Sequence, residues 1–299
     1  MPFNLSSIDR SEFYVCLTEG NEEKHYQIPI DLEVQNALGE MFIETLLRIR
    51  KLQEDEGIED FSPSQKYGAT DAVSCPMDSE FCEAPRHLLE ENNIPETKHA
   101  LDDLIKISYY YAILWDDTGE KALGVRRASQ FKGILKSKLL TIVDNSLHLL
   151  QDNAFKLDSN FDYIVFDDIL WALRPAGLEF TAKLTDAVKA AAPQAAADVA
   201  TRMSFLNLNK LGEYAAKHPR AARYLAAVRS RNDLELISQD LLIKYCENTN
   251  IELQTEEGKI SPSTGHELHF LEVLDRRIFT AELIKGEKER YEAPNRRTI

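Results

Sequence analysis

"FKLDSNFDYIVFDDILWALRPAGLEF", residues 155–180, sets three aspartates, Asp162, Asp167 and Asp168, around two short apolar runs. Tyr163–Phe166 and Ile169–Leu173 have the length and composition of strands. Asp167-Asp168 between them has turn chemistry, because aspartate side chains bond the local backbone. Read as a hairpin, the stretch decides the fold, since strands that return through tight turns build an antiparallel sheet. The rival reading is a metal-dependent nuclease, whose carboxylates must converge on shared ions. Asp162 and Asp167 fall at opposite ends of one strand, about 16 Å apart at roughly 3.3 Å per residue, too far for one ion. The acids therefore read as turns. A divergent nuclease site on the Asp116–Glu120 and Asp162–Asp168 turns stays as an alternative.

Working outward, the same hairpin logic recurs. Phe13–Leu17 and His25–Ile30 flank Thr18-Glu19-Gly20-Asn21, and Tyr109–Trp115 and Ala122–Arg127 bracket Asp116-Asp117-Thr118-Gly119. Leu139–Val143 and Leu147–Leu150 bracket Asp144-Asn145-Ser146, with a helix through 131–150 as the competing assignment. Leu38, Phe42, Leu46 and Ile49 recur at helical spacing and predict one amphipathic helix over 34–53. The acidic, proline-containing segment Glu54–Glu96 reads as a long loop with a short helix near Arg86–Asn92, and a soft domain boundary is placed there.

Beyond Pro175 the pattern turns helical. One helix is expected to end near Pro193 and to resume over Ala195–Phe205, followed by Lys210–Lys217 and Pro219–Ser230. Ser238 suits the cap of a helix through Cys246, and Thr264-x-x-Glu267 reads as a capping box for a helix to about Arg277. Ile251–Gln254 with Lys259–Ile260, and Phe279–Leu283 with Glu289–Glu292, read as two further hairpins. The fold class is therefore α+β, an antiparallel β-hairpin meander followed by a mostly helical C-terminal part. Residues 1–100 are expected to form an α+β region with an acidic loop, and 101–299 the main domain.

The chain has 299 residues and a net charge of −15. Residues 1–160 hold 29 acids and 16 bases (−13), and 161–299 hold 21 acids and 19 bases (−2). Such a surface argues against wrapping nucleic acid all round, though not against one basic face. The longest uncharged run, Ile107–Trp115, is nine residues, about half a membrane span. Met1–Ile8 lacks the pattern of a secretory signal. Four scattered cysteines, Cys16, Cys75, Cys82 and Cys246, suit free thiols in a reducing cytoplasm.

Nucleotide-cradling glycine loops, the nucleophile-elbow motif and His-Glu-x-x-His are all missing, so no catalytic residue and no cofactor is assigned. Cys75, Cys82 and His87, and likewise His266, Glu267, His269 and Glu272, have poor metal spacing, so no metal is assigned either. The informative residues are basic. "KHPRAARYLAAVRSR", residues 217–231, carries Lys217, Arg220, Arg223, Arg229 and Arg231 without an acid. "VRRASQFKGILKSK", residues 125–138, carries Arg126, Arg127, Lys132, Lys136 and Lys138, again without an acid. Two such clusters in an acidic chain point to a phosphate-binding face for DNA, salt-sensitive and weakly sequence-selective. The competing reading is that these cations pair with acids of the chain or merely solvate helices.

The opening stretch also resembles a bacterial family pattern, with Phe155, Leu157, Phe161, Asp162, Glu179 and Phe180 in its Phe-x-Leu, Phe-Asp and closing Glu-Phe places. "RAARYLAAVRSRNDLELIS", "NIELQTEEGKI" and "YEAPNRR" are similar to its later blocks. This is the KwaB-like family of the Kiwa anti-phage defence system, and the similarity runs over about residues 105–299. The resemblance implies a defence role without a catalytic centre. It also implies engagement of phage DNA, a KwaA-like membrane protein as partner and a place in the cytoplasm at the inner membrane face. A homodimer or higher homo-oligomer is expected to join the basic segments of two copies. The third reading, after DNA binding and the nuclease, is an acidic scaffold that docks a partner without touching DNA.

Overall fold

A computed structural model describes residues 2–19, 22–55, 57–68, 71–90, 96–97, 107–128, 140–143, 146–149, 156–284 and 287–293. The opening stretch is a hairpin, β10 (Tyr163–Phe166) and β11 (Ile169–Ala172), with Phe166 opposite Ile169. Asp167 and Asp168 both take positive φ, 51° and 59°, as a two-residue turn matched to the twist of its strands demands. The elements before it are β1 (Ile8–Glu19), β2 (Glu22–Ile28), α1 (Leu32–Asp55), β3 (Glu59–Asp60), β4 (Val73–Pro76), α2 (Glu83–Leu89), β5 (Glu96–Thr97), β6 (Ile107–Asp116), β7 (Lys121–Arg127), β8 (Leu140–Val143) and β9 (Ser146–Leu149).

Nine of these strands form one sheet in the order β3-β4-β11-β10-β7-β6-β1-β2-β5. Its ladders are antiparallel except at the rims, where β2 with β5 and β3 with β4 run parallel. The pleat sorts side chains. Phe13, Val15, Tyr110, Ala112, Leu114 and Ile164 face one way, onto Leu38, Phe42, Leu46 and Ile49 of α1. The other face carries Tyr14, Cys16, Tyr109, Tyr111, Val125 and Tyr163, and α3 (Pro175–Thr181) lies on that side, where Tyr163 Oη meets Thr181 Oγ1 at 3.0 Å.

The chain divides into two compact units, one of residues 1–60 and 67–182, the other of 61–66 and 183–299. The second contains α4 (Leu184–Arg202), α5 (Asn209–Lys217), α6 (Pro219–Arg229), α7 (Gln239–Asn248), β12 (Leu253–Glu256), β13 (Lys259–Pro262), α8 (Glu267–Leu274), β14 (Ile278–Ile284) and β15 (Glu287–Glu292). α4 packs on α5 and α6, and α6 packs on α8. Within this unit the guanidinium of Arg277 is 2% exposed, held by Asp275 Oδ2 at 2.6 Å and Ser64 Oγ at 2.8 Å beneath the Tyr224 ring. A buried charge of this kind requires such a partner.

The architecture is α+β, as expected, with four local differences. The Glu54–Glu96 segment is not simply a long loop, because Val73 and Cys75 are buried in β4, which pairs with β11, while the short helix expected near Arg86–Asn92 is found as α2. The units part at 182/183 and also at 60/61 and 66/67, inside the segment where the soft boundary was placed, while residues before 100 join the main sheet because β1 pairs with β6. Pro193 does not end a helix. It lies inside α4, where alanines on both sides and packing against two helices outweigh its missing N–H. Thr264 is not a cap either. His266 takes the N-cap place, and Glu267 instead accepts from the Gly265 N–H at 2.7 Å. Over 140–149 the hairpin, not the helix, is found.

Candidate anion-binding site

The ladder sets β7 beside β10, with Val125 opposite Tyr163. Asp162, just before β10, is pinned on both sides: its N–H donates to Val125 O, and its carbonyl accepts from Arg174 N–H, each at 2.8 Å. The preceding Phe161 N–H donates to Thr45 Oγ1 of α1 at 2.8 Å, and the Phe161 ring occupies the space that a side chain on Gly124 would need. The motif is thereby clamped between helix and sheet, and its polar groups are placed by backbone rather than by chance.

The Asp162 carboxylate is buried and accepts from Arg126 Nη1, from the Arg127 N–H at 2.8 Å and from Arg174 Nη1 at 3.2 Å. Arg126 also donates through Nε to Asp158 at 2.9 Å. Burial works against ionisation of Asp158, but the Arg126 guanidinium, with Lys156 beyond it, holds its pKa below the usual carboxylate value. Arg127 is exposed and lies over the Phe180 ring, 4.4 Å from its centroid. A cavity of about 310 Å³ opens among Arg126, Arg127, Ala128, Asp162, Arg174, Ala176 and Gly177.

Three guanidinium groups here face two carboxylates, which leaves the neighbourhood positive in an acidic chain. Arg126 is spent on its carboxylates and orients the site. Arg127, fixed from below by an aromatic ring, and Arg174, 34% exposed, present their remaining donors at the cavity. Forked donors at fixed positions suit the oxygens of a phosphate.

Only part of the sequence-predicted set has this freedom. Lys132, Lys136 and Lys138 lie outside the described residues. In the helical unit, Lys217 is exposed at the end of α5, and Arg220, also exposed, donates to Glu272 Oε1 at 2.9 Å and to Tyr224 Oη at 3.1 Å. Arg223, one turn on from Arg220 in α6, donates to Pro63 O at 3.3 Å and Thr185 Oγ1 at 3.1 Å, so the two arginines serve different neighbours. Arg229 is half-buried, 3.8 Å from Asp198. Arg231 is buried, bidentate to Asp233 at 2.8 and 2.9 Å and bonded to Leu274 O. Arg126 and Arg231 are thus structural cations, because a buried guanidinium must be paired. Arg174 was missed. Its signal was its place in the opening motif, directly before Pro175.

Two carboxylates of the nuclease alternative, Asp167 and Asp116, accept hydrogen bonds from the chain itself. Asp167 Oδ1 accepts from Phe3 N–H at 2.7 Å, and Asp116 accepts from Asn4, Thr118 and Glu120. His87 is engaged by Glu83 and Glu90. No helix among the described residues is long and apolar enough to cross a membrane.

Compared with known proteins, residues 105–283 match the model of a family described as Kiwa protein KwaB-like. No curated protein and no solved structure matches the chain. The matched span contains β6, β7, the β10–β11 hairpin and every arginine of the pocket.

Proposed function

The chain belongs to the Kiwa KwaB-like family, whose place is in anti-phage defence, and from that premise we propose that it acts as a non-enzymatic subunit gripping DNA by its phosphates. The observation that carries this reading is the arginine pocket built by the family motif. Asp162 fixes Arg126 and Arg174, while Phe180 supports Arg127, so two guanidinium groups are held toward solvent by parts of one motif. Lys217 and Arg220 supply further contacts from the helical unit. Contacts of this kind position a duplex without reading its bases. A KwaA-like membrane protein is the proposed partner, and self-association would multiply weak phosphate contacts along one duplex.

The test is fluorescence anisotropy of the full chain with a mixed-sequence duplex over a range of salt. The expected result is binding that weakens steeply with salt, and a slope in log–log form lowered by about 0.9 for each phosphate contact removed. Arg127→Glu with Arg174→Glu should show that loss while the protein stays folded. A salt-independent wild type, or a folded double variant that binds as well as wild type, overturns the reading. Magnesium-dependent cleavage abolished by Asp168→Ala would replace it with the nuclease.

A further inference from the structure

A second group of chemistry-bearing side chains lies on the sheet, far in sequence from the arginine motif. On the face opposite α1, Cys16 of β1 is directly opposite His25 of β2, and Glu23, two residues before His25, shares its side of the sheet. Ligand atoms of Cys16, Glu23 and His25 all lie within 4.8 Å of one another. We infer that these three side chains form a transition-metal site of the zinc class, with a fourth position left for an exogenous ligand.

The geometry is close to what zinc requires. Zinc–sulfur bonds of about 2.3 Å and zinc–nitrogen bonds of about 2.0–2.1 Å at tetrahedral angles put ligand atoms about 3.3 to 3.6 Å apart. From a spread of 4.8 Å, small side-chain rotations close that gap. The ladder supplies the pre-organisation, because two ligands are adjacent across paired strands and the third is one pleat away.

The surroundings fit a bound metal. Across the next ladder Cys16 is opposite Tyr109, whose hydroxyl hydrogen-bonds the thiol. The same hydroxyl can donate to a thiolate, the form in which sulfur binds metal. The imidazole of His25 stands edge-on to Tyr109 and Tyr111, 5.9 and 5.7 Å between ring centroids, which restricts its rotation. Cys16 is fully buried, whereas Glu23 and His25 are partly exposed. Entry is therefore from the Glu23 side. Thiolate, imidazole and carboxylate together favour zinc over calcium or magnesium, which take oxygen ligands.

The experiment is metal analysis of the full chain after incubation with zinc and dialysis, with affinity from competition against a chromophoric chelator, and the absorption spectrum after loading with cobalt(II). The expected result is about one zinc per chain and a thiolate-to-cobalt charge-transfer band. His25→Ala and Glu23→Gln, changes at partly exposed positions, should each weaken zinc binding at least about tenfold. Cys16→Ser should remove the band, and Cys75→Ser should retain it. Absence of zinc in the loaded wild type overturns the site. So does unchanged affinity in both His25→Ala and Glu23→Gln, or a band lost with Cys75→Ser and kept with His25→Ala.

Discussion

A β-carbon added to Gly177 would stand 2.4 Å from Asp162 Cβ and 2.8 Å from its Oδ2. The first turn of α3 thus lies directly on the carboxylate that organises the arginine pocket. Gly177→Ala must push either the helix or Asp162 aside, and overpacking of this kind costs about 1–3 kcal/mol. Gly39 gives the contrast, since its nearest neighbour, an Ile8 side chain, is 3.9 Å away within helix α1. Gly39→Ala should stabilise by roughly 0.5–1 kcal/mol, because glycine is the costlier residue in a helix. Denaturant unfolding of the two variants should shift the midpoint in opposite directions.

Asp162→Ala removes the shared acceptor of Arg126, Arg174 and the Arg127 N–H. Arg126, 16% exposed, would keep only Asp158, and a buried pair broken on one side costs about 3–5 kcal/mol. Arg126→Met, which removes the charge and keeps the stem, should restore part of that loss in the double variant. A double-mutant cycle on unfolding free energy measures the recovery, and strict additivity would show that the two groups are not coupled.

Asp116 makes acid stability partly predictable. Burial opposes its charge, but the N–H groups of Asn4, Thr118 and Glu120 and the Thr118 hydroxyl hold its pKa down at about 2. An unfolded aspartate titrates near 3.9, so the unfolded chain takes up this proton first as pH falls. The contribution is complete above about pH 4 and disappears as pH drops through about 2. The difference in Tm between wild type and Asp116→Asn should therefore be constant at neutral pH and shrink across that acid window. A difference that persists to the lowest pH would assign the effect to packing instead.

Which of these features the sequence announced follows from what each one depends on. The β10–β11 hairpin was legible because Asp167-Asp168 is a local signal and its flanking strands are apolar. α1 was legible because four buried positions repeat at helical spacing. The arginine pocket was legible only in part, since Asp162 and Arg126 are 36 residues apart and meet through strand pairing. From sequence, an arginine that binds phosphate and one that neutralises a buried carboxylate look alike. The same limit hid Cys16, Glu23 and His25, whose proximity comes from register across a hairpin. The β4 strand was hidden by acids and prolines around it, and Pro193 misled because tertiary packing overrode a local rule.

That ambiguity between cations yields a last prediction, which separates Arg231 from Arg127 although sequence alone placed both on DNA. Arg231 gives two bonds to Asp233 and one to Leu274 O, and its side chain is 7% exposed. Hydrogen bonds to a charged group contribute about 1.5–3 kcal/mol, so Arg231→Ala should cost at least about 2 kcal/mol of folding stability. Its duplex affinity, measured well below its Tm, should match wild type, with an unchanged salt slope. Arg127→Ala should do the opposite. Its stability loss is limited to the stacking on Phe180, roughly 0.5–1 kcal/mol, while the salt slope falls by about 0.9. Calorimetry and anisotropy on the same two preparations decide the matter. A pair of variants whose binding falls only in proportion to their unfolding would leave Arg127 no separate part in holding phosphate.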